Sequence, residues 1–140
     1  MTSHIRLGQQ QRITLDLPYL PSGKLAENYR RGMHFGAYAA LLNEERSLVF
    51  GHLARAIQST KKQPHPMERV ALEFHWYFKR KGPMPDWENL FARTKPLVDT
   101  LVSKLKLFPD DSPKYIVTSP IHTLEMGCRE DMLQVVIQEC

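Results

Sequence analysis

The chain has 140 residues, of which 42% are hydrophobic and 24% are charged, a composition typical of one globular domain. The net charge of +4 permits an anionic partner. There is no apolar run long enough to span a membrane, no signal-peptide segment at the start, and only Cys128 and Cys140 as thiols. We therefore expect a cytoplasmic single domain over 1–140 without disulfides, in which residues 1–11 form a flexible N-terminal segment.

The first predicted element is a strand over residues 13–17, where apolar and polar residues alternate. A long loop over 18–36 follows, because prolines and glycines interrupt it repeatedly. The loop contains Lys24, Arg30 and Arg31 beside an aromatic residue, a mixture that suits contact with a phosphate backbone. A solvated loop is the alternative interpretation.

Apolar residues at helical spacing over 37–59 predict a long helix that packs on the core. Strict alternation then predicts a buried strand over 70–78. This strand runs into Lys79, Arg80 and Lys81. The run is either a solvated strand end or, because acidic residues follow closely, a contact for DNA phosphates.

A second helix is predicted over 95–105, where apolar residues again recur at helical spacing. Pro96 lacks an N–H and fits the first turn of a helix, so we predict a separate helical turn over 87–93. Two strands near 114–123 and 131–138 complete the order β-α-β-α-β-β. The predicted fold is α+β, a mixed sheet packed by two main helices.

Two acidic pairs flank this helical region, Asp86 with Glu88 and, about 25 positions later, Asp110 with Asp111. If the helix folds its ends back, three or four carboxylates meet. Because Mg²⁺ takes oxygen ligands and keeps several waters, two or three carboxylates suffice for a site. With Lys95 to stabilise charge on phosphate oxygens, the pattern suits metal-dependent phosphodiester hydrolysis.

Both acidic pairs also have structural interpretations. Acidic residues are common at helix starts because they interact favourably with the helix dipole. An Asp-Asp pair in a loop is often turn chemistry. The pattern alone therefore leaves the metal site as one of two interpretations.

Three residue runs resemble the signature of RusA-type Holliday junction resolvases: D-W-E-N-L at 86–90, K-P-L-V-D-T-L at 95–101 and F-P-D-D-S at 108–112. The early run L-D-L-P-Y-L-P-S is similar to the first strand and loop of that family. The resemblance implies a homodimeric, Mg²⁺-dependent endodeoxyribonuclease, with Mn²⁺ as a substitute metal. Such enzymes are common in phages and prophages and nick opposing strands of a four-way DNA junction during recombination and repair.

Carried over residue by residue, the resemblance implies the metal ligands Asp86, Glu88 and Asp111, with Asp110 in support. It makes Lys95 the catalytic lysine, and Asn89 and Asp99 the flanking motif positions.

This sequence departs from the family pattern in two ways. Glu88 stands where the family usually has Asp, which moves the carboxylate by about 1.5 Å, one C–C bond. Lys95 follows Glu88 by seven positions rather than the family's four, so Arg93 is the fallback cation for the active site as well as a candidate DNA contact. These departures keep a second function open, a RusA-like module that binds branched DNA without cutting it. A nuclease of the PD-(D/E)xK type is discounted, because no acid-x-lysine follows in the region 86–111.

Overall fold

The computed structural model describes residues 10–26 and 35–140. The strands there are β1 (Arg12–Leu17), β2 (Val70–Phe78), β3 (Ile121–Met126) and β4 (Met132–Glu139). The helices are α1 (Phe35–Gln58), α2 (Trp87–Arg93) and α3 (Lys95–Ser103). This arrangement confirms an α+β fold with two main helices. None of the helices in these two ranges is long and apolar enough to cross a membrane.

The four strands form one mixed sheet in the order β1-β4-β2-β3. β4 is antiparallel to both β1 and β2, whereas β3 is parallel to β2. A parallel neighbour requires a crossover connection, and α2 and α3 lie in the segment that makes it. The segment 79–86, which contains the basic run and Asp86, connects the end of β2 to the start of α2.

One face of the sheet carries the core. The five apolar residues of β2 that alternate along the strand are all buried, namely Val70, Leu72, Phe74, Trp76 and Phe78. α1 packs against β1 and α3, so both main helices lie over this face. Trp76 is fully buried, and Trp76→Ala would cost about 3–5 kcal/mol in the free energy of unfolding.

The predicted break between the two short helices is confirmed. Thr94 separates α2 from α3, and its N–H and its hydroxyl both donate to the carbonyl of Phe91, at 3.2 Å and 2.7 Å. Pro96 lies in the first turn of α3, where the N–H that it lacks has no intrahelical partner to lose. Lys95 is therefore the first residue of α3 rather than part of a helix continuous with Glu88.

The strand predicted near 114–123 begins later than expected, because β3 starts at Ile121. Residues 115–117 make only one isolated bridge to Val70, through Ile116. Pro120 has no N–H to give to a ladder, so the pairing with β2 resumes only after it. The turn after β3 contains Gly127 with φ of +70°, a conformation that favours glycine.

Parts of two predicted segments lie outside the described residues. Residues 1–9 of the segment expected to be flexible are among them, and so are Arg30 and Arg31 of the first loop. Gln11, the last residue of the segment predicted to be flexible, is hydrogen-bonded to β4: its backbone N–H donates to the Glu139 carboxylate at 2.9 Å, and its carbonyl accepts from the Glu139 N–H.

Candidate functional site

The first acidic pair stands where α2 begins. Asp86 is the N-cap residue, and its Oδ1 accepts a hydrogen bond from the Asn89 N–H at 2.7 Å. Glu88 follows in the first turn, and both residues are exposed. The cap explains why an acid is favourable here, yet a carboxylate has about four lone-pair sites and can also ligate a cation. The backbone N–H of Asn89, the flanking motif residue, makes this cap, and its side-chain Oδ1 accepts from Arg93 Nη1 at 3.4 Å.

Lys95, Asp99 and Asp111 line one cleft of about 480 Å³. α3 supplies Lys95 and Asp99, and the loop after α3 brings Asp111 to the same place. The Lys95 ammonium is 3.9 Å from Asp99 Oδ2, and half of its side chain is exposed. Asp111 of the second acidic pair and the predicted catalytic lysine therefore line the same cleft, whereas Asp110 does not.

A second cleft of about 600 Å³ lies on the other side of Asp99 and is lined by Asp110 and Asp111. Arg46 of α1 and Lys104 contribute cations to its lining, and Arg46 contacts Asp99 directly. Its Nη2 and Nε donate to Asp99 Oδ2 at 2.7 Å and 3.2 Å, and its Nη1 donates to Asn43 Oδ1 at 3.0 Å. Asp99 thus lies between two cations, Arg46 and Lys95.

The two acidic pairs are not seen together. Asp86 and Glu88 line neither of these clefts. Within residues 10–26 and 35–140, no group of three or more His, Cys, Asp or Glu side chains is arranged to hold a metal ion. The described residues therefore offer carboxylates at two places rather than the single cluster that the sequence predicted.

The basic turn after β2 is exposed and is linked to the start of α2. Arg80 donates to the Pro83 carbonyl at 2.9 Å, and its guanidinium lies 5.3 Å from the centre of the Phe78 ring. Lys79 and Lys81 are exposed on either side. All three cations of the turn are exposed to solvent. Lys24, near the end of the described range 10–26, is exposed as well.

Arg93 is buried, which argues against the DNA contact that the sequence suggested for it. Only 8% of the residue is exposed, and its Nε donates to the Pro21 carbonyl at 2.7 Å. Its guanidinium also stands 5.3 Å from the ring centres of Trp76 and Phe78. Burial, and secondarily the charge of Arg80, lower the pKa of Arg93 to about 10. We assign it to the structure of the loop and the core.

Glu45 is a buried acid that the sequence interpretation missed. It lies on α1 with 5% exposure, and its Oε1 accepts from the Tyr19 hydroxyl at 2.6 Å and from the Ser22 N–H at 2.9 Å. Burial, and then the bond to Glu45, raise the pKa of Tyr19 well above its ordinary value. The helical spacing in the sequence could have predicted this burial, because Glu45 falls between Leu42 and Val49 on the buried side of the helix.

Comparison with known proteins gives no assignment: no family model matches the chain, and the search of curated proteins found no match.

Proposed function

We propose that this protein is a structure-selective endodeoxyribonuclease of the RusA type, which hydrolyses phosphodiesters of four-way DNA junctions with Mg²⁺. The observation that carries the proposal is the convergence of Lys95, Asp99 and Asp111 on one cleft. Lys95 and Asp99 belong to the run at 95–101 and Asp111 to the run at 108–112, two of the runs that resemble the family.

The proposed metal ligands are carboxylates, the donor type that Mg²⁺ prefers. Mg²⁺ is commonly held by one or two carboxylates, with waters and substrate phosphates completing its shell. A site of that kind needs no group of three acids, and Asp111 with Asp110, or Asp86 with Glu88, provides a pair. When bound, the ion would activate a water and neutralise charge on the phosphate.

Lys95 is proposed to stabilise the charge that develops on the phosphate oxygens. Its position at the first turn of α3 and its half-exposed side chain leave the ammonium at the mouth of the cleft. Asp99 Oδ2, 3.9 Å from that ammonium, is its ion-pair partner one helical turn away. Arg46 in turn holds Asp99 from the opposite side.

We further propose that the active form is a homodimer. A two-fold axis would place two clefts on opposing strands of a four-way junction, which suits paired nicks. The basic turn, residues 79–81, would supply sequence-independent phosphate contacts.

The test is cleavage of a labelled synthetic four-way junction and of a matched linear duplex, with Mg²⁺ or with EDTA. We expect symmetric nicks in the junction only, dependent on Mg²⁺ and abolished by Asp111→Asn and Asp86→Asn. The matched control is Glu68→Gln, an exposed acid in the segment before β2, which should cut like the wild type. Cleavage by either Asn variant at the wild-type rate would remove that residue from the site.

One observation favours a second candidate, a module that binds branched DNA without cutting. Within the described residues no three acids form a metal group, and Asp99 is held by Arg46. A protein of this kind would bind the junction as tightly with EDTA as with Mg²⁺ and leave it intact. The same assay, run beside a binding measurement, separates the two functions.

A further inference from the structure

α2 exposes two aromatic side chains on one face. Trp87 is 51% exposed and Phe91 is 45% exposed, and their i,i+4 spacing places both on the same side of the helix. Leu90 and Arg93 are the buried residues of this helix. Met84, just before the helix, is 69% exposed. A concentration of large apolar side chains in water is typical of a binding surface, and we call Trp87 and Phe91 the aromatic face.

The aromatic face packs on the sheet through Phe91. The Phe91 ring meets the ring of His122 on β3 at a centroid distance of 4.4 Å and an angle of 78°. His122 is fixed in its turn, because its Nδ1 accepts a hydrogen bond from Trp76 Nε1 at 3.0 Å. Phe91 is therefore held on one side by an ordered residue while much of its surface stays in water.

Positive charge lies in the turn that precedes the helix of the aromatic face. Arg80 donates to the Pro83 carbonyl, which ties the basic turn to the residues that lead into α2. Lys79 and Lys81 are exposed in that turn. Aromatic side chains beside a track of cations are the arrangement that binds single-stranded nucleic acid, because bases stack on the rings while the cations contact phosphates.

We propose that the aromatic face stacks against unpaired or unstacked DNA bases, such as those at the branch point of a junction. The proposal rests on the proposed function for the identity of the DNA. Bases inside a linear duplex present no free ring faces, whereas an open branch point presents several, so the aromatic face would select branched over linear DNA.

A second copy of this chain is the less favoured occupant of the aromatic face. The exposed Glu88 lies on α2 beside Trp87, and the N-cap Asp86 precedes it. The centres of protein–protein interfaces are depleted in charged residues, so a face bordered by acids and by the basic turn suits one poorly.

The first experiment uses the two tryptophans of the chain. Trp76 is fully buried, whereas Trp87 is half exposed, so quenching by DNA reports on Trp87. Tryptophan fluorescence would be titrated in EDTA with a thymidine oligonucleotide, a four-way junction and a linear duplex at equal phosphate concentration. We expect strong quenching by the first two and little by the duplex. In Trp87→Ala the remaining emission of Trp76 should stay unquenched.

The second experiment measures affinity for the junction and for the duplex. Trp87→Ala should weaken junction binding about tenfold, the loss of roughly one stacked base, and leave duplex binding unchanged. Trp87→Phe, which keeps a ring, should bind like the wild type. The matched control is Phe50→Ala, an aromatic residue of similar exposure on α1, which should change neither affinity.

Several outcomes would overturn the proposal. Equal quenching by duplex and junction would do so, as would an unchanged ratio of junction to duplex affinity in Trp87→Ala. If sedimentation showed that Trp87→Ala dissociates a wild-type dimer while its selectivity at high concentration is unchanged, the aromatic face would be an interface between copies. Selective quenching without any Mg²⁺-dependent cleavage by the wild type would instead remove the nuclease function and leave the aromatic face as a DNA-binding surface.

Discussion

Arg46 donates two hydrogen bonds to a single oxygen of Asp99, at 2.7 Å and 3.2 Å, and so joins α1 to α3 across 53 positions of sequence. Asp99 lies between the two clefts, so this pair also fixes a carboxylate at the centre of the candidate site. The Asp99 side chain is only 20% exposed, which makes the interaction stronger than that of an ordinary surface pair.

Arg46→Ala should lower the free energy of unfolding by about 1 kcal/mol, because Asp99 loses its main partner. Urea denaturation would measure the loss, and Asp99→Asn in the same background would show coupling between the two positions. Arg55→Ala, an exposed arginine on the same helix, is the control and should have little effect. Additive effects of the Arg46 and Asp99 substitutions would mean that the pair contributes no stability.

Glu45→Ala should destabilise the protein by about 2–3 kcal/mol, because the Tyr19 hydroxyl and the Ser22 N–H would both lose their buried acceptor. Glu45→Gln keeps an acceptor oxygen and should cost less. Tyr19→Phe removes one of the two bonds and should cost about 1 kcal/mol. Urea midpoints would rank the three variants. If Gln cost as much as Ala, the negative charge beside Arg93, rather than the hydrogen bonds, would be the stabilising feature.

The elements that the sequence predicted well depend on local chemistry. The alternation in β2 and the missing N–H of Pro96 act within a few residues, so the strand at Val70–Phe78 and the break at Thr94 could be read directly. The late start of β3 could not, because it depends on where residues 114–120 meet β2 in space.

The candidate site was predictable in its residue types and not in its assembly. The motifs singled out Asp111, Lys95 and Asp99, and the fold brings these together. Arg46 is part of the candidate site only because α1 packs on α3, and no local sequence pattern predicts that packing. Arg93 was taken for a surface cation, although its spacing of three from Leu90 placed it on the buried side of α2.

His122 makes the stability of the fold dependent on pH. Burial, helped by the charge of His75, lowers the pKa of His122 from its ordinary 6.5 to about 4. Its Nδ1 accepts from Trp76, so the neutral ring carries its proton on Nε2, a buried atom with no hydrogen-bond partner in the described part of the chain. Between pH 6.5 and 4 the unfolded chain therefore binds a proton that the folded chain does not.

This contribution to stability is fully present above pH 6.5 and is lost as the pH falls toward 4. The slope should stay below the ceiling of about 1.4 kcal/mol per pH unit for one proton, since the ring is only half-buried. His52, whose pKa is also lowered by burial, acts in the same direction. Urea denaturation at pH 7 and pH 5 should show a smaller loss for His122→Asn, which keeps an acceptor for Trp76. An equal loss would assign the pH dependence to other groups.

Lys95→Ala should slow junction cleavage about 100- to 1,000-fold, the effect of removing one donor to developing charge. Stability should change little, because the 3.9 Å pair with Asp99 is half exposed. Lys95→Arg should restore part of the rate, and Lys62→Ala, an exposed lysine of the linker after α1, should cut normally. Single-turnover rates on a saturating junction would separate the chemical step from binding. A parallel loss of junction affinity would make Lys95 a phosphate contact instead.

The basic turn should contribute to DNA affinity through its two lysines more than through Arg80. Arg80 is already hydrogen-bonded to Pro83 and lies against the Phe78 ring, whereas Lys79 and Lys81 are exposed. In the double variant Lys79→Ala, Lys81→Ala, the slope of log affinity against log salt for duplex binding should fall by up to about 1.8, since each released phosphate contact contributes about 0.9.

The matched control for that slope is Lys61→Ala, Lys62→Ala, which removes the same charge from another exposed part of the chain. Loss of net charge alone would reduce the slope equally in both double variants. If the salt slope falls only in the Lys79→Ala, Lys81→Ala variant, the DNA backbone lies against the turn, directly before the acidic residues of α2. An unchanged slope would identify the turn as a solvated strand end, and Lys24 would then be the next candidate for phosphate binding.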